Sequence, residues 1–241
     1  MTPGSEQENT NMSWMLPESF STFGPDVDFL YYAILVVTGI VFVITEALLV
    51  YFVIRYRRRD GQKATYIHGS TKAEIIWTTV PFIAVLGLAF ISIPSWNMMK
   101  NPDSVPADAL DYIINAKQFE WEITYAGTDG VTGTADDIST INIMHVPVNQ
   151  AVNITLRSED VLHSFFLPEM RVKQDAVPGM DITVWFEATA AGAYPIGCAE
   201  LCGNLHTTMG GTLNVYEAAE FEAWVASQSA DADDADDQED Q

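Results

Sequence analysis

Two long apolar stretches, about Phe29 to Ile54 and about Ile75 to Met99, limit what this chain can fold into more than any other feature. Each exceeds the roughly 20 residues a helix needs to cross bilayer hydrocarbon at about 1.5 Å per residue. Hydrocarbon offers a backbone amide no partner, so such segments must be helical, and a two-helix transmembrane hairpin over 29–99 is expected. Pro81 and Pro94 fall in the second stretch, where neighbours can satisfy the carbonyls they free; kinks are expected rather than breaks. The connecting loop, 55–74, carries Arg55, Arg57, Arg58, Arg59, Lys63 and Lys72, six of the chain's 11 basic residues. The positive-inside rule places that loop in the cytoplasm. Residues 1–28 hold five acids and no base, so this segment and everything past Lys100 are expected outside. No charged n-region with a short apolar core and a small-residue cleavage site precedes the first span, and no signal peptide is expected in the chain as it stands.

From about Asp111 the pattern becomes one of short alternating runs. Val152, Ile154 and Leu156 alternate with polar neighbours, as do Leu213 and Val215, while Ile182, Val184 and Phe186 alternate with Thr183, Trp185 and Glu187, which are expected on the outer face. This is the period of half-buried strands, and their number and spacing predict an all-β sandwich or Greek-key barrel over 100–228, with one short helix at about 217–227. Residues 229–241 contain no apolar side chain larger than alanine and many aspartates, which predicts a disordered acidic tail. A net charge of −22 is expected to repel nucleic acid and anionic lipid headgroups, and no nucleic-acid partner is expected.

Cys198, Cys202, His206 and Met209 follow one another at spacings of four, four and three in a glycine-containing stretch. Two cysteines so close admit a local disulfide, a zinc site or a copper site. Thiolate, imidazole and thioether together favour copper, because zinc has little use for a thioether. His163, which follows a strand and precedes Pro168, is the best further ligand. On residue types alone, zinc and a disulfide stay open beside copper. His145 and His68 have no cysteine or second histidine near them in sequence and are expected to be structural or solvated.

The run Cys-x3-Cys-x3-His-x2-Met with a glutamate between the cysteines is preceded by Asp160-Val-Leu-His163-Ser-Phe and by Lys173-Gln-Asp-Ala-Val-Pro-Gly179. With Glu74-Ile-Ile-Trp-Thr-Thr-Val-Pro81 and Gln118-Phe-Glu-Trp121, it resembles subunit II of cytochrome c oxidase over about 29–226. The resemblance implies a cupredoxin-like domain with a dinuclear copper centre. In that pattern Cys198 and Cys202 bridge, His163 and His206 each cap one copper, and Met209 and the Glu200 carbonyl are weak axial ligands. The Glu200 carboxylate would share a magnesium ion with subunit I, which carries the haem and reduces oxygen with proton translocation. Glu74 would stand at the mouth of a proton path, although Thr71-Lys-Ala-Glu74 also reads as a helix capping box. Glu46, inside the first span, is expected to face a partner subunit.

One departure concerns electron entry. Relatives have a tryptophan after the glutamine where this chain has Phe119, so Phe119 and Trp121 are both candidates, on one strand face with Tyr125. The donor expected from the resemblance is cytochrome c, which the 25 acids and four bases of 101–241 would attract. The same excess is typical of proteins from very salty surroundings, where a Debye length of roughly 3 Å leaves docking to apolar contact. A halophilic source and a small blue-copper donor are then also expected. The alternatives to this reading are a quinol-oxidising form lacking the copper ligands and a membrane-tethered β-domain with zinc or a disulfide.

Overall fold

The computed structural model describes residues 16–127 and 129–239, and the expectation for residues 1–15 lies outside them. The chain divides into a helical unit, Pro25–Met98, and a β unit made of the remainder.

In the helical unit, α1 spans Gly24–Arg55 and α2 spans Thr71–Lys100, both longer than the apolar stretches they contain. Helix α2 continues through Pro81 and Pro94. No residue of α2 is buried, and in α1 only Gly24 is. Phe42 and Phe90, 63% and 69% exposed, typify a continuous apolar surface that suits lipid or partner helices and not water. The Thr38 and Thr45 hydroxyls donate to the carbonyls of Ile34 and Val41 at 2.8 and 2.9 Å, which removes unmet donors from that surface. The N-cap of α2 differs from the expected one. Ser70 Oγ accepts from the Ala73 amide at 3.4 Å, so Ser70 is the cap. The capping-box position three residues on is then Ala73, and Glu74 is left out of the motif because the helix starts one residue earlier than the Thr71 cap requires.

The β unit is a cupredoxin-like sandwich of two five-stranded sheets. One sheet has β1 (Leu110–Lys117), β2 (Glu120–Tyr125), β3 (Ile138–Ile141), β5 (Ala151–Ser158) and β8 (Ile182–Glu187), ordered β3-β2-β1-β5-β8. The other has β4 (Ile143–Pro147), β6 (His163–Leu167), β7 (Val172–Ala176), β9 (Gly192–Cys198) and β10 (Gly210–Tyr216), ordered β4-β10-β9-β6-β7. The pairs β1–β5 and β4–β10 are parallel and the rest antiparallel. Alternation puts Tyr112, Ile114, Trp121, Ile123, Val152, Ile154, Phe165 and Leu213 inside. Asn142, at φ 60°, turns the chain from β3 to β4 and joins the sheets: its side chain accepts from the Trp121 amide and its carbonyl from the Thr212 amide, both at 2.8 Å. Gly211 allows that approach, since a Cβ there would stand 2.4 Å from the Asn142 carbonyl oxygen.

Two features depart from the alternating pattern. Trp185, expected on the outer face of β8, is buried under Phe23, whose ring meets it edge-on at 4.7 Å. Phe23 belongs to a strap preceding α1 that is laid on the sandwich through amide bonds from Phe20 to Glu169 and from Thr22 to Glu187. Helix α3 spans Ala218–Glu239, so helical backbone replaces most of the expected disordered tail. Alanine, the strongest helix former, recurs through this stretch and favours continuation once the first turns are seated. Trp224 seats them by stacking on His145 at 4.1 Å, while His145 Nδ1 meets the Tyr216 hydroxyl at 3.1 Å.

Candidate metal centre

The β9–β10 connection, residues 199–209, folds back over the open end of β6. It is pinned by Ala199 N–H to the Ser164 carbonyl at 2.9 Å and by Cys198 N–H to the Met209 carbonyl at 3.3 Å. A short 3-10 turn, His206–Thr208, reverses the chain and delivers Met209 inward. These local turns bring together the residues singled out by spacing. Cys198 Sγ lies 3.8 Å from Cys202 Sγ, which lies 3.6 Å from His206 Nδ1 and 3.7 Å from Met209 Sδ. The Cys198 thiol also points at the Glu200 carbonyl, 3.3 Å away. A ring nitrogen of His163 and both sulfurs lie within 4.8 Å of one another. His163, Cys202 and Met209 are buried; Cys198 and His206 are half-buried.

Two observations test whether this set fits a metal. The first is His163, wholly buried, with Nε2 2.8 Å from Asp160 Oδ1 and Nδ1 without a partner. A carboxylate only accepts, so the ring proton sits on Nε2 and leaves an unshared pair on Nδ1 of the ring that approaches both sulfurs. A buried acceptor left unmet costs free energy that a cation removes. The second is the thiol pair. Burial pushes the Cys202 thiol up to about 11, helped by the hydrogen bond and like charge of Cys198. Two thiolates so close are unfavourable unless a cation lies between them, and a thioether and an imidazole beside them make that cation soft. The residues fit copper.

Spacing alone does not reveal the outer supports. Burial pushes the Asp160 carboxyl up, but bonds from His163 and from the amides of Val161 and Gln118 outweigh it and hold Asp160 below the usual carboxylate value. Gln118 Nε2 donates to the Cys202 carbonyl at 2.5 Å, tying the β1–β2 turn to the ligand loop. Gly203, at φ +146°, makes room for this: a Cβ there would meet Gln118 Nε2 at 2.7 Å and the Phe119 ring at 2.9 Å. The one sequence signal for Asp160 is its place three residues before a candidate ligand.

The two electron-entry candidates separate. Phe119 sits on the turn before β2, half-buried against Gly203, and not on the strand face shared by Trp121 and Tyr125. Trp121 is fully buried, edge-on to Phe165 at 5.3 Å and to His163 at 6.1 Å, and Tyr125 is 2% exposed. Neither Trp121 nor Tyr125 can touch a donor; the turn at Gln118-Phe119 separates Phe119 from the face they share. Glu200 and Glu74 are both exposed, Glu74 in the first turn of α2.

A family model described as cytochrome C oxidase subunit II, periplasmic domain, matches residues 116–215, and one described as the transmembrane domain of that subunit matches residues 9–96. The alternative cytochrome c oxidase subunit 2 of Bradyrhizobium diazoefficiens is 32% identical over 214 residues, 80% of this chain and 76% of that protein. Cytochrome c oxidase subunit 2 of Alkalihalophilus pseudofirmus is 33% identical over 219 residues, 88% of this chain; the match spans 62% of that relative's length. Among solved structures, the periplasmic domain of subunit II of cytochrome oxidase from Bradyrhizobium japonicum aligns with a TM-score of 0.46 at 30% identity, covering 53% of this chain and 98% of that one.

Proposed function

This chain belongs to the cytochrome c oxidase subunit II family, and on that premise we propose that it is the copper-bearing, electron-accepting subunit of a membrane oxygen reductase. The observation that carries the reading is the convergence of both cysteine sulfurs with the ring of His163, whose Nδ1 has no partner, and with His206 and Met209. Cys198 and Cys202 supply thiolates, His163 and His206 imidazoles, and Met209 and the Glu200 carbonyl the weak contacts. Bound copper supplies reversible one-electron chemistry. The protein's part is to keep the ligands still: Asp160 fixes the His163 ring, Gln118 holds the loop, and the strands beneath resist rearrangement between redox states.

In this reading the β unit and both termini are extracytoplasmic and the 55–74 loop is cytoplasmic. Electrons arrive from cytochrome c or a small blue-copper protein and pass to haem in subunit I, where oxygen is reduced to water with proton translocation. Phe119 is the contact for entry, and Trp121 backs His163 from the core. Val161, Leu162, Leu201 and Leu205, 36%, 46%, 75% and 50% exposed, flank the ligand loops and give a donor apolar surface that salt does not screen. That surface is consistent with a halophilic source. The exposed Glu200 carboxylate is the group for a magnesium ion shared with subunit I, a cation that needs few protein ligands. Glu74, free of the capping box, is the candidate proton acceptor at the inner end of α2. The unburied faces of α1 and α2, Glu46 included, await lipid and partner subunits. Because all five copper-ligand side chains are present, the quinol-oxidising alternative is disfavoured. Turnover of the assembled oxidase with reduced cytochrome c and with a reduced blue-copper protein, at low and molar salt, tests the reading. Oxygen uptake driven by either donor supports it; uptake driven only by quinol contradicts it.

A further inference from the structure

The loop between α1 and α2 gathers six of the chain's 11 basic residues in a protein of net charge −22. Orientation of a membrane hairpin calls for cations on one side, but not for cations around a common hollow. Here Arg55, Arg57, Arg58, Arg59 and Lys63, with Tyr56, line one cavity of about 580 Å³. Lys72, on the second residue of α2, does not line it. Among the described residues none of the five lining cations forms an ion pair. Like charges turned toward one space repel, and an anion in that space removes the repulsion.

The place and the lining define the anion. Arg55 ends α1, so the cavity opens where hydrocarbon gives way to headgroups. Tyr56, with the Arg55 guanidinium 5.5 Å from its ring centre, is an aromatic of the kind that settles at this level, and Ile67 adds an apolar wall. Arginine forks match phosphate oxygens in pairs, and the volume suits a headgroup better than a bare ion. We propose that this cavity binds a phosphate-bearing anion, the headgroup of an acidic phospholipid in the surrounding leaflet, with free phosphate as the other source of the same chemistry. The site uses no residue of the metal centre, so its failure would leave the copper reading untouched.

The test uses the full-length chain in phosphatidylcholine nanodiscs containing a small share of spin-labelled phosphatidylglycerol or, separately, spin-labelled phosphatidylcholine. The labelled phosphatidylglycerol is expected to be immobilised at least about threefold more than the labelled phosphatidylcholine. The double substitution Arg57→Gln with Arg58→Gln brings the ratio to unity, Lys72→Gln leaves it unchanged, and Arg57→Lys with Arg58→Lys gives an intermediate ratio, because lysine keeps the charge and loses the fork. Displacement of the labelled lipid by millimolar inorganic phosphate keeps the phosphate site and assigns it a soluble ligand. Equal immobilisation of the two lipids with no phosphate binding overturns the proposal. So does a loss in Lys72→Gln equal to that of the arginine pair, because total charge would then explain the effect.

Discussion

The His163 Nε2–H donates a hydrogen bond to Asp160 at 2.8 Å and leaves Nδ1 without a partner on the ring that approaches Cys198 and Cys202. The carboxylate that sets this tautomer also receives the Gln118 amide at 2.8 Å, so one side chain orients the proposed ligand His163 and anchors the neighbouring turn.

Replacing Asp160 by alanine removes both roles. Copper affinity, measured by competition with a chelator, is expected to fall by about 10- to 100-fold, with Asp160→Asn recovering much of the loss because its amide oxygen still accepts. Unchanged affinity in Asp160→Ala would show that packing alone orients His163.

Copper uptake displaces thiol protons, and burial holds the Cys202 proton to about 11. Affinity for copper is therefore expected to rise with pH across the neutral range. For the metal-free protein the sign is opposite. A thiol whose folded pKa is raised stabilises the fold below its unfolded value, and that contribution is lost as pH rises through about 11. Chelator competition and chemical denaturation at stepped pH read the two trends, and a metal-free stability that climbs with alkalinity would contradict the second.

Sulfurs 3.8 Å apart need only a small movement to reach the bonding distance of about 2.05 Å. With oxidised glutathione added, which takes up the two electrons and two protons, the metal-free chain is expected to form a Cys198–Cys202 disulfide and to refuse copper until a reductant restores two titratable thiols. Undiminished copper loading of fully oxidised protein would refute this.

Phe119 and Trp121 should fail in different ways. Phe119→Ala is expected to lower kcat/KM for the donor while leaving the copper spectrum and stability nearly unchanged, since the ring is at the surface of the ligand loop. Trp121→Ala empties a fully buried site and should cost about 3–5 kcal/mol in denaturant titration. Equal stability losses in the two variants would put Phe119 in the core.

The spans and most strands were legible because their signals are local. A 20-residue apolar run and a two-residue alternation need no tertiary partner to be read. The candidate ligand loop was legible for the same reason, as four of the proposed ligands lie within 12 residues. What escaped depends on distant chain. Trp185 is buried because Phe23, some 160 residues earlier, lies on it, and Gln118 holds a loop 84 residues away. Ser70 displaced Thr71 as cap because either hydroxyl suits the position and a one-residue shift decides which. His145, set apart as a non-ligand, owes its burial to Trp224 on a helix whose length composition alone underestimates.

In the proposed function, five side chains of this chain hold two coppers as one redox unit. Metal analysis of the purified full-length chain, joined to its electron spin resonance spectrum, tests it most directly. Two coppers per chain are expected, with a hyperfine pattern from one unpaired electron shared by both nuclei, lost together in Cys202→Ser. One zinc per chain, or a single copper with a localised signal, would contradict it.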